Sequence, residues 1–218
     1  MTCGGRNAII ETIVAVVVWN RFPNLTHWLH CWKQCDQTQA DLVVIHNQEI
    51  DNARYEQLCL EHGVRYVSRE NRGFDIGAFQ DVCRERLVGF PRDWVNLLWI
   101  TDDCFPMQKD FVVKYLDCLV MGRMPCYEIS DQVKRHVRTT GFLVTKAVAM
   151  KLVFHRDPVV TKDDCYDFEH RRFNMYEQMV GMGITPQMVA SGIDSPLWDS
   201  GHNHNQPFIS KHAQVFPL

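Results

Sequence analysis

The sequence has no apolar run long enough to cross a bilayer. Its longest, Ile13 to Trp19, is about a third of the roughly 20 residues that a spanning helix needs. Glu11 precedes it, not a basic stretch leading to a cleavage site, so it reads as a buried strand and not as a signal peptide. An excess of one charge is also missing. Lys and Arg total 23 against 26 Asp and Glu, a formal net charge of -3, which provides no field for nucleic acid or an anionic membrane. The nine cysteines are odd in number and scattered, with no CxxC pair. That excludes the paired spacing of a zinc site and the dense framework of a disulfide-stapled scaffold. They read as small reduced core residues, which favours a reducing, cytoplasmic compartment. No internal repeat, low-complexity tract or linker interrupts the chain.

What is present suits one α/β domain. With 46% hydrophobic residues over 218, the chain can bury a substantial core. Thr12–Trp19 is a valine-rich first strand of the kind buried on both faces. Asn24 is a candidate N-cap for a helix over Leu25–Cys35, whose apolar stripe is Leu25, Trp28, Leu29 and Trp32. Leu42–His46 is a second strand, Asp51 caps a helix over Asn52–His62, and Val64–Val67 is a third strand. This rhythm implies parallel strands with right-handed crossovers. Ala78–Leu87 and Gln108–Met121 read as helices around a fourth strand, Trp94–Ile100. The second half is less regular. It offers strands at Cys126–Ile129 and Gly141–Thr145, helices at Lys146–Val153 and Phe168–Gly181, and a polar tail from Gly192. Residues 1–105 therefore read as a nucleotide-binding half and 106–218 as an acceptor half with a C-terminal loop.

Two stretches carry chemistry. Leu97-Leu98-Trp99-Ile100-Thr101-Asp102-Asp103 is an apolar strand ending in two acids. An α/β fold presents ligands at that carboxyl edge of its sheet, and carboxylates there suit a hard divalent ion that serves a phosphate-bearing substrate. The alternative is that the acids only cap the helix that follows. Asn71-Arg72-Gly73-Phe74-Asp75-Ile76-Gly77-Ala78-Phe79 is a glycine-punctuated turn. Its glycines allow backbone near a ligand, Asp75 could accept from a ribose diol, and Arg72 could reach phosphate. It is not a GxGxxG dinucleotide turn. The alternative is a tight strand-to-helix turn with Asp75 as the cap.

Together, Trp19-Asn20-Arg21 after the first strand, His46-Asn47 after the second, the glycine turn and Thr101-Asp102-Asp103 resemble a GT-A glycosyltransferase. The turn is similar to the Asn-x-Gly-x-Asp-x-Gly-Ala-Phe signature of rhamnan and capsular polysaccharide transferases. Thr101-Asp102-Asp103 stands where that fold carries its DxD motif, with Thr at the first place. The chain also resembles the N-terminal glycosyltransferase domain of a large algal-virus (chlorella virus) protein that glycosylates the capsid. The resemblance implies a mostly parallel central sheet flanked by helices. It also implies transfer of a sugar from a nucleotide-sugar, first a UDP-sugar, to a glycan or glycoprotein hydroxyl, in the host cytoplasm if the chain is viral. By the same resemblance Trp19, Asn20, Arg21, His46, Asn71, Arg72 and Gly73 would lie at the nucleotide. Asp75 and Asp102 would meet ribose or donor sugar, and Asp103 would hold Mn²⁺ or Mg²⁺ with His202 and His204 as further ligands.

The acceptor side is less explicit. Asp163, Asp164, Asp167 and Glu169 cluster before a helix, and Glu169 stands about where inverting members carry their base. The competing reading is a helix N-terminus that favours acids through its dipole. Thr139-Thr140-Gly141-Phe142 would wall the sugar pocket and Trp198 would stack on a ring. A nucleotidyltransferase is the nearest rival, but its glycine loop follows the first strand, where this chain has Trp19-Asn20-Arg21-Phe22-Pro23. A non-catalytic nucleotide- or sugar-binding module is the rival of another class. It has no use for an acid pair that would hold a metal to stabilise a leaving group.

Overall fold

The computed structural model describes residues 10–48, 53–131, 133–189 and 208–209. The first half alternates strand and helix: β1 (Ile10–Val18), α1 (Phe22–Gln34), β2 (Asp41–Gln48), α2 (Ala53–Glu61), β3 (Arg65–Glu70), α3 (Phe74–Cys83) and β4 (Trp94–Thr101). Then come β5 (Phe105–Pro106), α4 (Phe111–Val120), β6 (Arg123–Cys126), β7 (Ile129–Ser130), β8 (His136–Val137) and β9 (Gly141–Thr145). The chain continues through α5 (Lys146–Ala149), α6 (Lys162–Glu169), α7 (Met175–Gly181), β10 (Thr185–Met188) and β11 (Phe208–Ile209).

Seven strands form one sheet in the order β10-β6-β9-β4-β1-β2-β3. β1 pairs in parallel with β2 and β4, β2 in parallel with β3, and β10 in parallel with β6, while β9 runs antiparallel to β4 and β6. Side chains alternate across a strand, so β1 feeds both faces. Ile13, Ala15 and Val17 pack with Phe79, Trp99, Phe142 and Phe168 on one side. Val14, Val16 and Val18 pack with Leu25, Trp28, Leu29 and Phe111 on the other. Each valine, leucine, isoleucine or phenylalanine among them, fully buried, contributes about 1.5–3 kcal/mol relative to exposure. The eight described cysteines from Cys31 to Cys165 are buried thiols without a disulfide.

Several boundaries differ from the sequence reading. α1 begins at Phe22 with Pro23 in its first turn, so Asn24 lies inside the helix and caps nothing. α3 begins at Phe74, four residues before the expected Ala78, because Gly73 takes a left-handed φ of 71° at the cap position. The expected helix over Phe168–Gly181 is two. α6 closes at Glu169, and Asn174 starts α7 by accepting a hydrogen bond from the Glu177 backbone N–H. β10 was not expected, since Thr185-Pro186-Gln187-Met188 contains proline, which a strand tolerates at a sheet edge. Asp51 and the tail from Gly192 lie outside the described residues, except that β11 pairs with β5.

Candidate functional site

The carboxyl ends of β1 and β4 lie side by side, with Val17 opposite Thr101. The Asp102 N–H donates to the Val17 carbonyl at 3.0 Å and the Cys104 N–H to the Thr101 carbonyl at 3.0 Å, so the chain turns immediately after β4. Trp28, fully buried on α1, donates its indole N–H to the Cys104 carbonyl at 2.8 Å and braces this turn from below. The acid pair therefore caps no helix. α4 starts at Phe111, eight residues after Asp103, with Asp110 at its cap position. Instead both carboxylates face a cleft of about 370 Å³.

Thr101 Oγ1 donates to Asp103 Oδ1 at 2.7 Å, and Arg21 Nη1 donates to Asp103 Oδ2 at 3.3 Å and stands 3.7 Å from Asp102 Oδ1. Asp102 Oδ2 is buried with no hydrogen-bond partner among the described residues. Burial, and then the like charge of Asp103, push the Asp102 carboxyl up to about 7. A buried carboxylate oxygen without a donor costs free energy, and a bound cation would offset that cost. Two adjacent hard oxygen donors are of the kind that would suit Mn²⁺ or Mg²⁺. Among the described residues no group of three or more His, Cys, Asp or Glu could hold an ion by itself. His202, His204 and Trp198 lie outside the described residues.

The glycine turn forms the adjoining wall. A Cβ on Gly77 would stand 2.2 Å from the Arg72 carbonyl, and one on Gly73 2.4 Å from the Val159 carbonyl, so neither position admits a larger residue without a shift. Beneath the turn, the Arg69 guanidinium donates to Asp81 at 3.0 Å, Asn47 Oδ1 at 2.7 Å and the Arg72 carbonyl at 2.8 Å. Asn47 in turn donates to the Phe74 carbonyl at 3.0 Å. Asp75 does not cap α3. It accepts from Thr139 Oγ1 at 3.2 Å across the cleft, and burial raises its carboxyl above the usual range, with Glu169 adding to the rise and Lys162 opposing it.

Of the residues singled out from sequence, Trp19, Arg21, Asn71, Asp75, Asp102, Asp103 and Glu169 line one cleft, together with Thr139 and Thr140. Asn20, Arg72 and Gly73 sit in the turns behind it, Asn20 with φ 43°. His46 does not line it. Its ring is fully buried, stacked on Tyr55 at 4.0 Å with Nδ1 2.8 Å from the Tyr66 hydroxyl, so it packs the end of β2. Glu169 stands 3.7 Å from Arg138 Nη1 and 3.7 Å from His170 Nδ1. Asp164, from the same acidic cluster, forms a capping box with Thr161, and Asp163 pairs with Arg171 at the surface. Lys162, Tyr166 and Arg138 also line the cleft and were not singled out. The spacing Lys162, Tyr166, Glu169, one face of a helix, is the signal that could have found two of them.

Solved structures share this fold. The mannosyltransferase PcManGT from Pyrobaculum calidifontis, in complex with GDP-Man and Mn²⁺, matches 84% of this chain at 13% identity with a TM-score of 0.59. Glucosyl-3-phosphoglycerate synthase from Mycobacterium tuberculosis, in complex with Mn²⁺, UDP-glucose and phosphoglyceric acid, matches 83% at 13% identity with a TM-score of 0.55. TarS of S. aureus matches 78% at 12% identity with a TM-score of 0.53. The fold is GT-A. This chain spans 55%, 70% and 34% of those three chains, respectively. No protein-family model and no curated protein sequence matches it. No helix among the described residues is long and apolar enough to cross a membrane.

Proposed function

We propose that the chain is a metal-dependent glycosyltransferase that moves a sugar from a nucleotide-sugar, first a UDP-sugar, to a hydroxyl of a glycan or glycoprotein. The observation that carries this reading is the pair Asp102–Asp103, at the carboxyl end of β4, opening into the same cleft as Asp75 and Glu169. The solved structures of the same fold that hold GDP-Man or UDP-glucose with Mn²⁺ support it. A viral capsid glycoprotein, modified in the host cytoplasm, is the specific acceptor suggested by the resemblance of the sequence.

Each group has a part in this scheme. Asp103, oriented by Thr101, and Asp102, with its unpartnered oxygen, would hold the cation. When bound, Mn²⁺ or Mg²⁺ offsets the charge that builds on the departing diphosphate. Arg21, exposed over much of its side chain, can turn from the acids to the phosphates. Trp19 and Asn71 flank the nucleotide, and Asp75 accepts from donor hydroxyls beside Thr139. The acceptor oxygen attacks the anomeric carbon, the bond from that carbon to the diphosphate oxygen breaks, and in an inverting reaction Glu169 takes the acceptor proton.

Calorimetric titration with UDP, with and without Mn²⁺, tests the reading. Wild type should bind UDP only weakly after chelation. Asp103→Asn should lose the Mn²⁺-dependent part of the affinity while keeping its circular dichroism. An unchanged Mn²⁺-dependent affinity in Asp103→Asn would overturn the assignment.

A further inference from the structure

We propose that Phe74, Tyr166 and Lys162 form the acceptor subsite, and that the sugar bound there carries an anionic group, a carboxylate or a phosphate. The proposal rests on the glycosyltransferase reading and names its acceptor class.

Phe74 is held where a bulky residue does not go unaided. Its φ is 53°, directly after Gly73 at 71°. A non-glycine residue in that region is strained and persists only when its surroundings impose it. Here the imposing groups are Asn47 and Arg69, both of which donate to the Phe74 carbonyl. The result is an aromatic ring 41% exposed at the cleft wall, not a core residue. Tyr166 presents a second ring to the same cleft. Two partly exposed rings offer the flat apolar surface on which the C–H face of a pyranose packs.

Lys162 gives that platform a charge. Its ammonium lies 5.0 Å from the Phe74 ring centre and 5.4 Å from that of Tyr166. Among the described residues no carboxylate is within ion-pair distance of it, and Asp75 acts on it only through the longer-range field. Contact with ring faces is weaker than a charge-assisted hydrogen bond, so an oxyanion on a bound sugar would win the ammonium. Lys162, Tyr166 and Glu169 follow one another at i, i+4 and i+7 on α6, one helical face. At 1.5 Å per residue, the anion reader and the proton acceptor stand about 10 Å apart along the helix. That spacing leaves room for a sugar ring between the charged group and the reacting hydroxyl.

The test is calorimetry with three probes: a di-uronic acid, its neutral methyl ester, and a disaccharide phosphate. Wild type should bind at least one anionic probe about tenfold or more tightly than the ester, the scale of one charge-assisted hydrogen bond. Which anion wins decides between carboxylate and phosphate. Lys162→Met should erase the preference, and Tyr166→Ala should weaken all three probes. Phe74→Gly relieves the strained φ, and lost sugar binding with an unchanged circular dichroism spectrum assigns the loss to the missing ring. No preference in wild type, no binding of any probe, or a preference that survives Lys162→Met would overturn the proposal. UDP titration with Mn²⁺ on the wild-type protein reads the glycosyltransferase assignment separately. Failure there with the anion preference intact sinks that assignment, and the reverse pattern sinks the acceptor subsite alone.

Discussion

Arg69 lies outside the cleft, yet its removal should disturb the cleft more than most substitutions within it. Its side chain is 7% exposed, and it joins β3 to Asp81 on α3, to Asn47 on β2 and to the Arg72 carbonyl in the glycine turn. Arg69→Met keeps most of the length and the packing of the side chain and removes the charge. Asp81, itself 13% exposed, would be left with Arg86 at 3.9 Å as its remaining ion-pair partner among the described residues. The Asn47 and Arg72 oxygens would lose their donor. Breaking a buried ion pair costs about 3–5 kcal/mol, mostly for the stranded charge. The half-exposed Arg86 offsets part of this, so a loss of about 3 kcal/mol, the low end of that range, is expected in urea unfolding. Arg69→Met combined with Asp81→Leu removes the stranded charge and should recover at least about 1 kcal/mol, because the two sites are strongly coupled. The single variant should also bind UDP more weakly, since the turn that carries Asp75 is no longer held. A loss below about 1 kcal/mol in Arg69→Met, or strict additivity in the double variant, would refute this account of the turn.

Three further outcomes follow from the same geometry. Gly77→Ala, whose Cβ would meet the Arg72 carbonyl, should cost about 1–3 kcal/mol through overpacking and lower the thermal midpoint. Asp75→Asn should be more stable than wild type in the metal-free protein at alkaline pH. The folded-state pKa of Asp75 is raised by burial, so the ionised form costs stability above that pKa and costs nothing once both states are protonated. The advantage should therefore shrink as pH falls and vanish near about pH 4, the ordinary carboxylate range, and urea melts showing a pH-independent difference would contradict it. Asn174→Ala removes the cap that starts α7 and should cost about 1 kcal/mol, with no change in UDP affinity by calorimetry.

The parts of this molecule that were legible in the sequence are those where burial sets the pattern. β1, β2 and β4 are apolar on both faces because helices cover both sides of the sheet, and a continuous apolar run is how that condition is written. β9 was found over its observed span, Gly141–Thr145, for the same reason. The acid pair and the glycine turn were visible because packing alone rarely puts two carboxylates after an apolar strand or two glycines four residues apart. What stayed hidden depends on tertiary placement. The end of α6 and all of α7 read as one helix because apolar spacing runs from Phe168 through Met175 to Met179, all buried in the same core, across a break marked only by Asn174. Lys162 and Tyr166 reach the cleft because Gln80, fully buried, holds the preceding segment by the Arg156 carbonyl and the Val159 N–H. No local pattern announces a clamp between residues so far apart in the chain. His46 misled for the opposite reason: its position after a strand suggested a ligand, while Tyr55 and Tyr66 enclose it.

The contact between Gly73 and Val159 bears on how freely such a protein could be rebuilt from parts. The Val159 backbone passes so near Gly73 that not even a methyl group fits between them, and Cys165 reaches back to donate to the Gly73 carbonyl at 3.3 Å. The first 105 residues and the remainder are therefore not interchangeable modules joined at a seam. A chimaera that grafted a foreign second half onto this one would have to reproduce the path of the backbone from Phe154 to Thr161, whatever side chains it changed. Lys162 and Tyr166, on the cleft face of α6, can be exchanged without touching that path, and variants of the proposed acceptor subsite belong there.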